Sequence, residues 1–161
     1  MKTRRLPQSV FLWMALSLMP LPLLFAAVDE YNVPSEVNVC LKNASGLTIN
    51  GDINPFYLSG DFDGDGKLDF AVQVIRGGSR GILICLSTQG IPSIVGAGSS
   101  IIWPSAEEWR FDAWSVIPKE SRAVTRPPKA KNDAILLDVK ETASGLLYWD
   151  GNALRWRQLT D

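Results

Sequence analysis

The sequence predicts an α+β fold that consists mainly of antiparallel β-sheet, on three observations. Short apolar, β-branched runs recur along the 161 residues and are separated by turns rich in glycine and proline. Two pairs of these runs flank glycine-containing connections of hairpin length. Helical spacing of apolar residues is clear in one short N-terminal stretch only. The length of 161 residues is that of one domain, and no repeat with a period of about 20 to 50 residues is present, so we expect a single domain without repeated units.

The first 26 residues have the pattern of a secretory signal peptide. A basic start, MKTRR, precedes an uncharged apolar run at residues 10–25, and Ala26 and Ala27 supply small residues for cleavage. We therefore expect residues 1–26 to be removed and residues 27–161 to be exported to the periplasm or outside the cell. An uncleaved membrane anchor is the alternative, but the run is short and contains two prolines.

The next segments predict one helix followed by a hairpin. Residues 34–43 place Val37 and Leu41 four positions apart behind a proline, which is typical of a short helix. Residues 70–76 and 82–87 are apolar runs, and the five residues between them contain three glycines. They predict two strands joined by a five-residue loop.

Further strands are predicted towards the C-terminus. Residues 91–117 contain short strand candidates, of which 107–114 fit a strand or a helical turn equally well. Residues 134–139 are strand-like. The segments 146–149 and 153–159 lie on either side of Asp150-Gly151, a dipeptide that favours a two-residue turn between paired strands.

The densest group of chemically active side chains is in GDFDGDGKLDFAV, residues 60–72. Carboxylates at alternating positions can converge on one cation, because Gly64 and Gly66 allow the backbone to curl around it. The expected ligands are side-chain oxygens and one backbone carbonyl, five or six in all before water, which suits calcium better than magnesium. They are the side chains of Asp61, Asp63, Asp65 and Asp69 and the carbonyl of Lys67.

The residues around this run separate it from a helix-loop-helix calcium site. Counted from Asp61, position twelve is Val72, where the helical site requires a bidentate glutamate. The apolar stretch that follows has no helical period, and residues 54–59 upstream are short and bounded by proline and glycine. The loop is therefore expected to join two strands. A solvated acidic turn without an ion is the alternative.

The motif GDFDGDGKLD between strands resembles the calcium-binding loop of FG-GAP and VCBS-type repeats, which form the blades of integrin-like propellers and occur in many secreted bacterial proteins. The close resemblance covers residues 60–74. It implies a calcium ion that holds a β-turn in place, with Asp61, Asp63, Asp65, Lys67 and Asp69 in the ligand positions. The single copy implies no propeller face. The C-terminal part, residues 133–161, more loosely resembles small secreted bacterial proteins of unassigned function.

The chain has two cysteines and no histidine. In an exported protein Cys40 and Cys85 are the one possible disulfide pair, but Cys85 also fits a buried free thiol, so the pairing stays open. The absence of histidine excludes Ser-His-Asp and Cys-His catalysis and histidine-based metal sites. We therefore expect no enzyme, although acids such as Glu107 with Asp112, or Glu141 with Asp138, leave a carboxylate-based hydrolase as a minor alternative.

The charge balance argues against nucleic acid as a partner. Three of the 16 basic residues lie in residues 1–26 and none of the 17 acidic residues does, so the remaining domain carries about four net negative charges. A basic stretch at residues 118–133 is rich in proline and is interpreted as a solvated loop rather than an anion-binding patch. After cleavage of the signal peptide, no membrane contact is expected.

Five tryptophans could line a glycan or peptide surface or pack in the core, and packing is the preferred interpretation. They are Trp103, Trp109, Trp114, Trp149 and Trp156.

Together, the features of the sequence predict a secreted or periplasmic calcium-binding interaction domain whose partner is a protein or a glycan. The alternative is a periplasmic inhibitor or immunity-type protein that blocks an enzyme by surface complementarity.

Overall fold

The computed structural model describes residues 32–99, 110–121 and 131–160. The predicted signal peptide, Trp103, Glu107 and Trp109 lie outside these ranges. Within them, no helix is long and apolar enough to cross a membrane. One helix and nine strands follow in chain order: α1 (Ser35–Lys42), β1 (Thr48–Ile49), β2 (Tyr57–Gly60), β3 (Asp69–Arg76), β4 (Ser79–Cys85), β5 (Ser93–Gly96), β6 (Ala113–Ile117), β7 (Ala134–Val139), β8 (Ala143–Trp149) and β9 (Leu154–Thr160).

The strands form two antiparallel sheets, which confirms the predicted α+β, β-rich class. In the first sheet β3 pairs with β1 and β2 along one edge and with β4 along the other, and β4 pairs with β5. The second sheet is a meander in the order β6, β7, β8, β9. Consecutive strands are therefore neighbours in both sheets, apart from the pairing of β1 with β3.

The apolar sequence of β3 follows from burial of both faces of the first sheet. Successive side chains of a strand point to opposite faces. Ala71 belongs to a core shared with the second sheet, whereas Phe70, Val72 and Val74 belong to a core that includes Val37 of α1. Both faces are covered, so the residues from Asp69 to Val74 are all buried and apolar residues occur on both faces of the strand instead of alternating with exposed polar ones.

The turn between β3 and β4 is shorter than predicted. Arg76 pairs directly with Ser79, so Gly77 and Gly78 alone form the connection and the expected five-residue loop is wrong. Both glycines have positive φ, 55° and 85°, which is the requirement of a tight two-residue hairpin turn. The residues predicted as loop extend β4 instead.

The turn between β8 and β9 is longer than predicted. The strands pair as expected, but the last pair is Trp149 with Leu154, so four residues connect them and the two-residue turn is wrong. Asp150 explains the difference, because its Oδ1 accepts the N–H groups of Asn152 and Ala153, both at 2.9 Å. A side-chain acceptor of this kind stabilises a wider turn.

The structure resolves two alternatives that the sequence left open. Cys40 and Cys85 form a disulfide with a Cα to Cα distance of 5.9 Å, which joins α1 to β4. The tryptophans of the described part of the chain pack rather than form an exposed platform. Trp114 is buried in the core between the sheets, and the partly buried Trp149 and Trp156 pack against that core.

Candidate metal centre

The aspartate loop connects β2 to β3, and the two strands start their pairing at Gly60 with Asp69. The prediction that the loop joins strands is therefore correct, since Val72 at position twelve is inside β3. Gly64 and Gly66 adopt positive φ values of 83° and 84°. A side chain at Gly64 would also approach the backbone carbonyl of Lys131 to 3.2 Å. Both glycines thus allow the positive φ that the loop requires, and Gly64 also allows the loop to pack closely against Lys131.

The loop brings three of the predicted ligands together. One carboxylate oxygen from each of Asp61, Asp63 and Asp65 lies within 4.8 Å of the other two. This donor set contains oxygen only and carries three negative charges, which is the chemistry that hard cations require. The cluster can hold a metal ion.

Backbone N–H groups orient these carboxylates. Within the loop, Oδ1 of Asp61 accepts the N–H of Gly64 at 2.8 Å, and Oδ1 of Asp63 accepts that of Asp65 at 3.1 Å. Oδ1 of Asp65 accepts the N–H of Lys67 at 2.7 Å, and this bond is the main reason that the pKa of Asp65 lies below its ordinary value. The bonds fix one oxygen of each group and turn the acids in a common direction.

The second oxygens of Asp63 and Asp65 accept hydroxyl groups from outside the loop. Thr88 Oγ1 donates to Asp63 Oδ2 at 2.5 Å, and Ser87 Oγ donates to Asp65 Oδ2 at 3.1 Å. Lys67 Nζ lies 3.3 Å from the same oxygen of Asp65. Both hydroxyls belong to the connection between β4 and β5, which therefore supports one side of the loop.

Asp69 has a different environment from the other three acids. It is fully buried, and it accepts three backbone N–H bonds: from Phe62 at 2.8 Å, Asp63 at 3.3 Å and Ser87 at 2.7 Å. Burial raises its pKa, and the hydrogen bonds to the carboxylate act in the opposite direction. In this arrangement Asp69 closes the loop on itself and onto Ser87. Its predicted role as a metal ligand, like that of the Lys67 carbonyl, stays a prediction.

The segment between β6 and β7 holds the opposite side of the loop. Asp133 Oδ2 accepts the N–H of Asp61 at 3.0 Å, and the N–H of Asp133 donates to the carbonyl of Asp61 at 2.8 Å. Lys119 donates its N–H to Asp133 Oδ1 and its ammonium to Asp61 Oδ2, both at 3.1 Å. The bond to Asp61 raises the pKa of Lys119.

A buried amide completes this attachment. Asn132 is 6% exposed, and its Nδ2 donates to the carbonyl of Phe62 at 2.7 Å and to that of Trp149 at 3.1 Å. The carbonyl of Phe62 belongs to the aspartate loop and that of Trp149 ends β8. One side chain therefore fixes the loop to the second sheet, and loss of it would leave two carbonyls without this donor.

Sequence reasoning identified the acids but not the residues that hold them. Ser87, Thr88, Lys119, Asn132 and Asp133 come from three separate parts of the chain, and no local motif marks them. Lys119 belongs to the basic stretch at residues 118–133, which the sequence predicts to be a solvated loop. The structure shows that its ammonium pairs with the candidate metal centre instead.

Of the acids considered for hydrolytic chemistry, Asp112 accepts the N–H of Lys140 at 2.9 Å and lies 3.7 Å from the guanidinium of Arg110. These contacts engage it in the turn after β7.

Comparison of the chain with protein-family models, with curated proteins and with solved structures finds no match.

Proposed function

We propose that the protein is an exported, calcium-binding interaction domain in which the ion has a structural role. The observation that carries the proposal is the convergence of Asp61, Asp63 and Asp65 within 4.8 Å. The cationic side chains that contact the cluster, one from the loop itself and one from the segment after β6, neutralise it incompletely. Two ammonium groups, from Lys67 and Lys119, pair with three carboxylates. One negative charge therefore remains at the cluster, and a bound cation would reduce the repulsion among the three carboxylates.

Calcium suits this loop better than magnesium. Calcium accepts six to eight oxygen ligands in flexible geometry, whereas magnesium requires a near-ideal octahedron and retains several waters. A loop that offers carboxylates at alternating positions and a backbone carbonyl fits the flexible arrangement. The position of the loop between β2 and β3 supports a structural role, because the ion would hold the entry to the central strand.

A binding role is proposed rather than catalysis because the chain has no histidine, and the contacts of Asp112 are those of a turn.

Export is proposed from the N-terminal pattern and is supported weakly by the disulfide, since disulfides persist mainly in oxidising compartments. The partner is proposed to be a protein or a glycan, with no contact to nucleic acid or membrane.

Thermal melting with calcium and with chelator tests the calcium proposal. A ligand that binds only the folded state stabilises it by about 2.7 kcal/mol at one hundred times its dissociation constant. We expect calcium to raise the melting temperature of the purified protein, and magnesium to raise it less. Asp63→Asn should remove the effect. A melting temperature that saturating calcium does not change would refute the proposal.

Asp52→Asn is the matched control for that substitution. Asp52 is an exposed carboxylate outside the loop, and it pairs with Arg80. The same chemical change there should leave the calcium effect intact. If both variants lost the effect equally, the response would reflect general charge screening and not the aspartate loop.

A further inference from the structure

A groove lies beside the aspartate loop, between α1 and the segment that follows β4. Its volume is about 400 Å³, within the range of roughly 300 to 1,000 Å³ that ligand sites in proteins usually occupy. Val39 of α1, Asn43 directly after the helix and Leu68 of the aspartate loop contribute to its lining. The disulfide-bonded Cys40 and Cys85 also line it, so a covalent bond fixes α1 against β4 at this place.

Exposed apolar side chains concentrate around this groove. In the described parts of the chain, four large apolar residues are exposed: Val39, Leu68, Ile91 and Leu159. Val39 and Leu68 line the groove and are 59% and 60% exposed. Ile91 is 81% exposed and stands between two residues that line it. Exposed apolar groups that cluster in this way mark interaction sites, whereas scattered ones need no explanation.

The charge at the groove is negative. Among the described residues that line it, Glu36 is the one ionisable residue, and its Oε2 accepts the hydroxyl of Ser35 at 3.0 Å. No lysine or arginine of the described segments forms a salt bridge with Glu36. The nearby Lys67 is paired with Asp65. A partner that carries a positive charge next to an apolar group therefore complements the groove.

We propose that the groove binds a segment of another protein that inserts an apolar side chain and has a lysine or arginine beside it. The lining argues against a glycan, which aromatic rings exposed to solvent would recognise. Within the part of the chain that the structure describes, Phe70 is the one aromatic residue that lines the groove, and it is 6% exposed. The lining contains more apolar than polar residues, as in sites that accept apolar side chains.

The groove and the aspartate loop share a wall. Leu68 belongs to the loop, and Ser87, which also lines the groove, donates its N–H to Asp69 at 2.7 Å and its hydroxyl to Asp65 at 3.1 Å. An ion that stiffens the loop also fixes this wall, which lowers the entropic cost of binding. The segment should thus bind more tightly in calcium, and this part of the inference rests on the proposed function.

Selection from a phage-displayed library of random dodecapeptides, with the purified full protein in calcium as target, tests the proposal. We expect the enriched peptides to share an apolar residue next to lysine or arginine. A synthetic peptide of the most enriched sequence should lose at least tenfold in affinity against Val39→Gln and Leu68→Gln. Both positions are exposed, so the folded structure tolerates glutamine. Glu36→Gln should weaken binding of the basic peptide.

Leu159→Gln is the matched control, because Leu159 is exposed but does not line the groove. It should bind the peptide as the unsubstituted protein does. Enriched peptides that are acidic, peptides that bind Leu68→Gln unchanged, or no enrichment over an unrelated protein would overturn the proposal. A dimer in sedimentation experiments that Leu68→Gln converts to monomer would identify a second copy as the occupant and would also overturn it.

The outcomes separate this inference from the calcium proposal. If calcium does not change the melting temperature but the peptide binds with the expected dependence on Val39 and Leu68, the groove is correct and the calcium proposal fails. If calcium stabilises the protein and no peptide binds, the calcium proposal is correct and the groove proposal fails. If calcium stabilises the protein and the peptide binds, but chelator leaves the peptide affinity unchanged, the shared wall does not couple calcium binding to peptide binding.

Discussion

The ammonium of Lys119 lies 3.1 Å from Oδ2 of Asp61, although 58 residues separate them in the chain. Asp61 begins the loop between β2 and β3 of the first sheet, and Lys119 follows β6 of the second. The candidate metal centre is thus built where the two sheets meet, and a cation from the second sheet already contacts one of its acids.

Removal of that ammonium should strengthen calcium binding. Lys119→Met deletes a positive charge that competes with the ion for Asp61 and retains most of the aliphatic chain. Because the pair is partly exposed, with side-chain exposures of 37% and 14%, solvent screens it, and we expect a gain of about 2- to 5-fold in affinity. Isothermal titration measures the change. Lys140→Met, at an exposed lysine after β7, is the control, and unchanged or weaker binding by Lys119→Met would contradict the argument.

Loss of the disulfide should destabilise the protein strongly. The bond closes a 45-residue separation between Cys40 and Cys85, which corresponds to about 4 kcal/mol in the chain-entropy model. The variant with both cysteines replaced by alanine should show that decrease in the free energy of unfolding by urea. Reductant should lower the stability of the unsubstituted protein and leave the double variant unaffected. If the double variant and the unsubstituted protein were equally stable, the disulfide would contribute little to the free energy of unfolding.

Gly145→Ala should destabilise the second sheet. A Cβ at this position of β8 would overlap the indole ring of Trp156 on the neighbouring β9. Forced displacement of a packed ring costs about 1 to 3 kcal/mol. Urea unfolding measures the loss. Gly90→Ala is the matched control, since a Cβ there meets nothing within 4 Å, and a similar loss in both variants would argue against the ring contact as the cause.

Asp150 should titrate in strong acid. The guanidinium of Arg155, 2.6 Å from Oδ2, and the N–H groups of the turn lower the pKa of Asp150 from 3.8 to about 2. Since the folded-state value is depressed, the stabilisation is complete above pH 3.8 and disappears as the pH falls through about 2. Carbon-detected NMR titration gives the pKa directly. Arg155→Gln should move it back towards 3.8, and an unchanged value would assign the shift to the turn alone.

Much of the architecture was predictable because it depends on local patterns. The mainly apolar sequence of β3, the helical spacing around Val37 and the pairing of β8 with β9 all follow from the short-range order of side chains. The acids of the loop were predictable for the same reason, because carboxylates that alternate with Gly64 and Gly66 can converge on one point. The two turn lengths were wrong, because Gly77-Gly78 and the Asp150 side chain set them through backbone geometry that composition alone does not specify.

Contacts between distant parts of the chain were decided by the tertiary structure. Pairing of Cys40 with Cys85 requires that α1 pack on β4, and the pattern around Cys85 fitted a free thiol equally well. The placement of Lys119 and Asn132 against the aspartate loop depends on how the second sheet lies on the first. Local order in the sequence thus determined which residues form strands and which acids can converge. The surroundings of those acids, and the groove beside them, arise from long-range packing that has no local signal.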